Sequence, residues 1–221
     1  MKLKTLVTLV LFLSLTATAN LFAQENRFDQ EIAQISQEVD NKGWSKGSVL
    51  FTGSSSIRMW KNLQAQFPEV PIINTGFGGS TAEDLSAQLF PAVLRFEPSK
   101  VFIYEGDNDI NGGKTATEVM KTLDEIVTRI QKQLPNTTVN LIAAKPSISR
   151  WELKTSYLVL NDLMRQYCTA HDNVNFVNVW DIMLDKTGKP RNDIFIEDNL
   201  HMNEKGYSLW KEIFTPFLVE D

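Results

Sequence analysis

Four short stretches of this 221-residue chain carry side chains suited to chemistry. The first, Gly53-Ser54-Ser55-Ser56-Ile57, directly follows the apolar run Val49-Leu50-Phe51. A serine on a tight turn from strand into helix has its hydroxyl raised above the sheet, beside a helix N-terminus that favours developing negative charge. The same serines could equally cap that helix. The second stretch, Asn74-Thr75-Gly76-Phe77-Gly78-Gly79-Ser80-Thr81, is rich in glycine. Glycines let backbone N–H groups approach a ligand closely, or make a tight turn and nothing more. The third, Glu105-Gly106-Asp107-Asn108-Asp109, is a polar cluster at the end of an apolar run. The fourth is Asp198-Asn199-Leu200-His201. A carboxylate three residues before an imidazole can orient the ring and stabilise its protonated form.

Something must hold these stretches together. Short runs rich in β-branched or aromatic residues predict strands at 49–51, 70–73, 101–104, 139–142 and 174–177. Helical spacing falls between them. Phe28, Ile32, Ile35 and Val39 make a first stripe, ended near Gly43; Val119, Leu123, Ile126 and Ile130 make another, closed by Pro135. Leu153, Tyr157, Leu160 and Met164 make a third, and a last helix follows His201 with Tyr207, Leu209, Trp210 and Phe214. Strands alternating with helices imply βαβ units, a parallel sheet and helices on both faces. Such sheets place their working residues in loops at the carboxyl ends of the strands.

Serine, glycine amide, asparagine and Asp/His, each after a separate strand or before the final helix, come here in an order that resembles the SGNH (GDSL) hydrolase family. The resemblance runs from about Lys46 to Tyr207. It implies an α/β fold: a three-layer α/β/α sandwich around a five-stranded parallel sheet, flavodoxin-like in order. It also implies Ser55 as nucleophile, Asp198 as orienting acid and His201 as general base. The Ser55 and Gly79 N–H groups and the Asn108 side-chain amide would form the oxyanion hole. Trp60 stands where many family members carry an aromatic after the nucleophile. One departure is plain: the family's first-block aspartate is here Ser54, so Ser54 and Ser56 stand as alternatives to Ser55. The implied chemistry is acyl transfer through an acyl-enzyme, with no metal, nucleotide or organic cofactor.

Composition narrows the class further. With 22 Lys+Arg against 27 Asp+Glu, the chain lacks the basic surface that nucleic acid requires. The single cysteine, Cys168, excludes an intramolecular disulfide and a Cys-rich zinc site. It is expected to be a small buried hydrophobe. Of the two histidines, His171 stands at the end of a helix, where the helix dipole gives it a structural place. Lys2 and Lys4 precede the apolar run Leu6–Leu15 and small residues at 16–19, the pattern of a secretory signal peptide. The run is too short for a comfortable membrane span, which needs about 20 residues. Residues 1–23 are thus expected to be a leader, cleaved after Ala19 or Ala23, and residues 24–221 one catalytic domain. The expected protein is exported, periplasmic or extracellular, with no stable membrane insertion after cleavage.

Rival readings have their own residues. Asp107-x-Asp109-x-Asn111-Gly112 with Glu118 meets the spacing of an EF-hand calcium loop. A strand leads into it, however, where an EF-hand has a helix. The hydroxyl-rich loop from Thr52 to Ser56 could cradle a phosphate such as that of FMN, which leaves Asp198 and His201 unexplained. A non-catalytic ligand-binding protein on the same fold is a further alternative. Met59, Trp60 and Phe77 could line an acyl or sugar pocket, or belong to the core. For substrate, small esters or short acyl groups, acetyl above all, on extracytoplasmic glycans are the expectation. A lipase- or lysophospholipase-like action on longer chains is the alternative. The sequence leaves oligomeric state open.

Overall fold

The computed structural model describes residues 27–218, so the leader expected at 1–23 lies outside the described residues. Five strands form one sheet: β1 (Val49–Gly53), β2 (Ile72–Asn74), β3 (Lys100–Tyr104), β4 (Thr138–Ile142) and β5 (Val174–Val177). All pairings are parallel, in the order β2-β1-β3-β4-β5. The expected α/β architecture is the observed one. The chain reverses its direction of winding at β1/β3, and the loops after these two strands flank the switch point, where open α/β sheets bind ligands.

Successive residues of a strand point to opposite faces, and each face is covered. Leu50, Val101, Ile103, Val139 and Leu141 belong to one buried cluster. They pack against α1 (Asp29–Lys42), α4 (Ala82–Ala87), α5 (Leu89–Ala92), α7 (Ala116–Gln133) and α8 (Lys154–Ala170). Phe51, Phe102, Tyr104 and Ile142 belong to the other, with Ile57 of α2 (Ser55–Arg58), Leu63 of α3 (Leu63–Gln66) and Trp210 and Phe214 of α9 (Glu204–Leu218). Phe51 stacks on Phe102 at 4.5 Å between ring centroids, and Trp60 on Tyr207 at 5.4 Å. Trp60 and Phe77 are therefore buried core residues.

The helix after β1 is a single turn, Ser55–Arg58. The polar cluster after β3 is a short helix, α6 (Asp107–Asn111), entered from the strand. The longer helices start as their residues dictate: Thr115 and Glu118 form a reciprocal capping box for α7, as Thr81 and Asp84 do for α4.

Candidate active site

Gly53 makes the turn that presents Ser55. Its φ is +115°, and a Cβ there would lie 2.1 Å from the Tyr104 carbonyl oxygen, so only glycine fits. The Ser54 N–H then donates to that carbonyl at 3.0 Å. Ser54 is the residue before α2, yet its side chain makes no capping hydrogen bond. Capping thus fails as the account of the serines. Ser54 and Ser56 are buried at 2% exposure, whereas Ser55 is partly open and its Oγ lies 2.8 Å from His201 Nε2. Among the three serines, Ser55 alone faces an imidazole.

His201 sits in a turn bracketed by the bridge between Phe195 and Met202. Asp198 builds that turn: its Oδ1 accepts the N–H groups of Leu200 and His201, both at 2.9 Å. Its Oδ2 lies 2.5 Å from His201 Nδ1. Burial works to raise the Asp198 carboxyl, but the His201 ring and these backbone donors outweigh it and bring the value down to about 2. An ionised carboxylate can only accept, so Nδ1 carries the proton and Nε2 is left to accept from the Ser55 hydroxyl. Asn203 then starts α9, its Oδ1 accepting from Lys205 and Gly206 N–H. The Tyr207 hydroxyl reaches back to the Ser56 carbonyl at 2.9 Å.

On the other side of Ser55 stand free donors. Among the described residues neither the Ser55 nor the Gly79 N–H has an acceptor. Gly79 has φ +76°, in the left-handed region, and its carbonyl accepts from Arg27 at 3.0 Å. Next to it, the Gly78 N–H donates to Glu31 of α1 at 3.1 Å. The Asn108 amide nitrogen gives one hydrogen to the Ser80 carbonyl at 2.9 Å and keeps the other. Arg150 donates to Asn108 Oδ1 at 3.1 Å, which fixes which end of the amide is the donor.

Beneath these groups lies a layer of buried ionisable side chains that sequence reasoning did not resolve. Glu105 is 1% exposed and its Oε1 accepts from Ser80 Oγ at 2.6 Å. Burial pushes its carboxyl well above the ordinary range, the Ser80 bond opposing only in part, and nearby Asp109 adds to the rise. Two residues on, Asp107 accepts from Arg150 at 2.6 Å, Tyr157 at 2.7 Å and Tyr104 at 3.0 Å. Burial alone would raise Asp107; Lys145, Arg150 and Tyr157 outweigh it and hold it below the usual carboxylate range. Lys145 itself is fully buried, 3.9 Å from Asp107 Oδ2. The signal for it was present: a lysine directly after the buried strand end Ile142-Ala143-Ala144, at the carboxyl edge of the sheet.

The remaining candidates fall elsewhere. His171 follows α8, its Nδ1 2.8 Å from the Tyr167 carbonyl and its ring stacked on Tyr167 at 3.9 Å. Cys168 is only half-buried, and burial still pushes its thiol up to about 12, which removes any nucleophilic role near neutral pH. The EF-hand spacing does not make a calcium loop: Asp107 serves Arg150, Asp109 accepts the Ala82 N–H, and Glu118 caps α7. Among the described residues no group of three or more His, Cys, Asp or Glu is arranged to hold a metal ion. None of the described helices is long and apolar enough to cross a membrane.

The model of the GDSL-like lipase/acylhydrolase family matches residues 18–209. No curated protein matches the chain. Among solved structures, a Streptococcus pneumonia protein named after platelet activating factor has the same fold, with TM-score 0.76 and 21% identity over 94% of this chain and 99% of that one. A GDSL-like lipase from Bacteroides thetaiotaomicron gives TM-score 0.67 and 20% identity over 89% and 97%. An acetylxylan esterase from Geobacillus stearothermophilus, solved as a catalytic mutant, gives 0.65 and 18% over 79% and 95%. With a family match over most of its length and the fold to go with it, the chain belongs to the GDSL-like lipase/acylhydrolase family and is a hydrolase of the SGNH type.

Proposed function

We propose that the protein is an extracytoplasmic esterase that removes short acyl groups, acetyl in particular, from glycans or small esters. Ser55 is the nucleophile, His201 the general base and Asp198 the residue that orients it. The observation that carries the reading is the unbroken hydrogen-bonded chain from Ser55 Oγ through His201 to Asp198, at 2.8 and 2.5 Å. In the first half-reaction Ser55 Oγ attacks the ester carbonyl carbon while its proton passes to His201 Nε2. The carbonyl oxygen takes the negative charge, met by the N–H groups of Ser55 and Gly79 and the unused amide hydrogen of Asn108. Collapse of the tetrahedral intermediate expels the alcohol, which takes the proton from His201. Water then attacks the acyl-Ser55 with His201 again as base, and the carboxylic acid leaves.

Preference for acetyl groups draws support from the likeness to an acetylxylan esterase, and that for an exported setting from the leader-like residues 1–23. A longer-chain reading has an observation of its own. Ile148 and Ile196, 36% and 40% exposed, flank the His201 turn through backbone bonds to Asn199 and His201, and could greet an apolar chain. The test is hydrolysis of p-nitrophenyl esters of rising chain length alongside acetylated xylo-oligosaccharides, by wild type and Ser55→Ala. The expected result is maximal kcat/KM on acetyl esters and a loss of roughly 10⁴–10⁶-fold in Ser55→Ala. A maximum on long acyl chains overturns the short-acyl assignment; wild-type turnover in Ser55→Ala overturns the nucleophile.

A further inference from the structure

Lysine is seldom wholly buried without a partner that justifies it. Lys145 is 0% exposed, and the obvious partner is Asp107. That partner is already served. Arg150, Tyr157 and Tyr104 all donate to Asp107 within 3.0 Å, while Lys145 Nζ stands 3.9 Å away, beyond hydrogen-bond distance. The short bond Lys145 makes is a different one: Nζ donates to the Leu200 carbonyl at 2.6 Å. Leu200 lies between Asp198 and His201. Of the donors described, Lys145 is the one that reaches this carbonyl.

We propose that Lys145 is a positioning residue for hydrolysis: by holding the Leu200 carbonyl from beneath, its ammonium sets the turn that carries Asp198 and His201 at hydrogen-bonding distance from Ser55. The neighbouring backbone shares the task. Ile148 and Ser149 N–H groups both donate to the Asn199 carbonyl at 3.1 Å, so the loop after β4 grips two successive carbonyls of the turn. Asn199 has φ +56°, in the left-handed region that asparagine tolerates better than most residues with a Cβ, which lets the chain turn sharply here. The charged and titratable groups around the ammonium are Asp107, Arg150 and Asp198, with the Tyr104 hydroxyl on the Lys145 N–H at 3.4 Å. Asp107 offsets the buried charge at a distance while leaving the directional bond to the turn. A group that moves the base by even 1 Å can change turnover by about 10²-fold without touching substrate.

The inference rests on the reading of Ser55, His201 and Asp198 given above, and a mutant cycle on p-nitrophenyl acetate tests it with the full chain. Lys145→Met keeps the length and apolar stem and removes the donor. In the wild-type background kcat should fall by about 10²-fold with KM moved no more than about twofold. In the His201→Ala background the same substitution should cost nothing further, because the group it positions is gone. An equal loss in both backgrounds, which a merely structural role produces, overturns the proposal, as does wild-type kcat in the single variant. If Lys145→Met does not fold, as judged by circular dichroism, Lys145→Leu, which likewise lacks a donor, enters the same cycle, where the same two results overturn the proposal. Ser55→Ala is run beside them. Wild-type turnover there fells the underlying reading; loss of turnover there together with an equal Lys145 effect in both backgrounds fells this proposal alone.

Discussion

The two flanks of Ser55 are held by opposite electrostatic means. On the glycine-loop flank, burial pushes the Glu105 carboxyl well up and no cation among the described residues pairs with it; it anchors Ser80, whose carbonyl in turn holds the Asn108 amide. On the base flank, Asp107 is just as buried, yet Lys145 and Arg150 keep it ionised, and Lys145 grips the His201 turn. Both carboxyls leave the end of β3, two residues apart. Burial is common to them, so it cannot decide their charge; the partner does. A carboxyl pushed toward its neutral form beside the proposed oxyanion donors would leave little negative charge to oppose a developing one. An ion-paired acid on the other side supplies a fixed scaffold for the base.

The sharpest way to break this contrast is Asp107→Asn. It removes the carboxylate nearest to the buried cations Lys145 and Arg150, which should cost about 3–5 kcal/mol, toward the lower end because Arg150 reaches some solvent and Asp198 also faces Lys145. A shift of the urea midpoint measures it, and an unchanged midpoint would mean the pair is not ionised. Asn108→Ala tests the other flank through rate: removing one oxyanion donor should lower kcat by about 10²–10³-fold with the fold intact. Turnover equal to wild type would remove Asn108 from that role. The smallest effect is Glu105→Gln, which should change stability by no more than about 1 kcal/mol while altering its pH dependence. A carboxyl raised in the folded state keeps a proton that the unfolded chain releases, so wild-type stability falls as pH climbs from the ordinary value of 4.5 toward the folded one. The glutamine variant lacks this slope, so its stability relative to wild type should rise with pH in denaturant melts. A flat difference would show Glu105 to be charged.

This contrast also marks the limit of what the sequence discloses. The five strands are legible because short β-branched runs between turn residues have few other fates, and four chemical blocks are legible because each follows such a run or opens the last helix. Ser55 against Ser54 and Ser56 is a matter of which hydroxyl faces outward, and that depends on the φ of Gly53 and the crowding at Tyr104. Trp60 and Phe77 read as suited to a pocket but more often core, since an aromatic beside a loop is apolar in either place; the packed faces of the sheet, Trp210 and Phe214 on the side of Trp60, decide for the core. Glu105 and Asp107 look alike in a polar cluster. Their difference is written far downstream, in Lys145 and in Arg150, the latter 43 positions from Asp107, and no local pattern joins them.

Ser55 and His201 lie 146 positions apart. During synthesis the serine emerges early and waits through four further strands and most of the chain before its base exists. A nascent or half-folded molecule is thus chemically silent, unable to acylate itself on stray esters. The Tyr207 clasp on Ser56 then makes the closing helix the step that arms the site. Hydrolytic activity becomes a readout of whether the chain's closing segment, from the His201 turn onward, has docked, and should vanish before the central sheet melts.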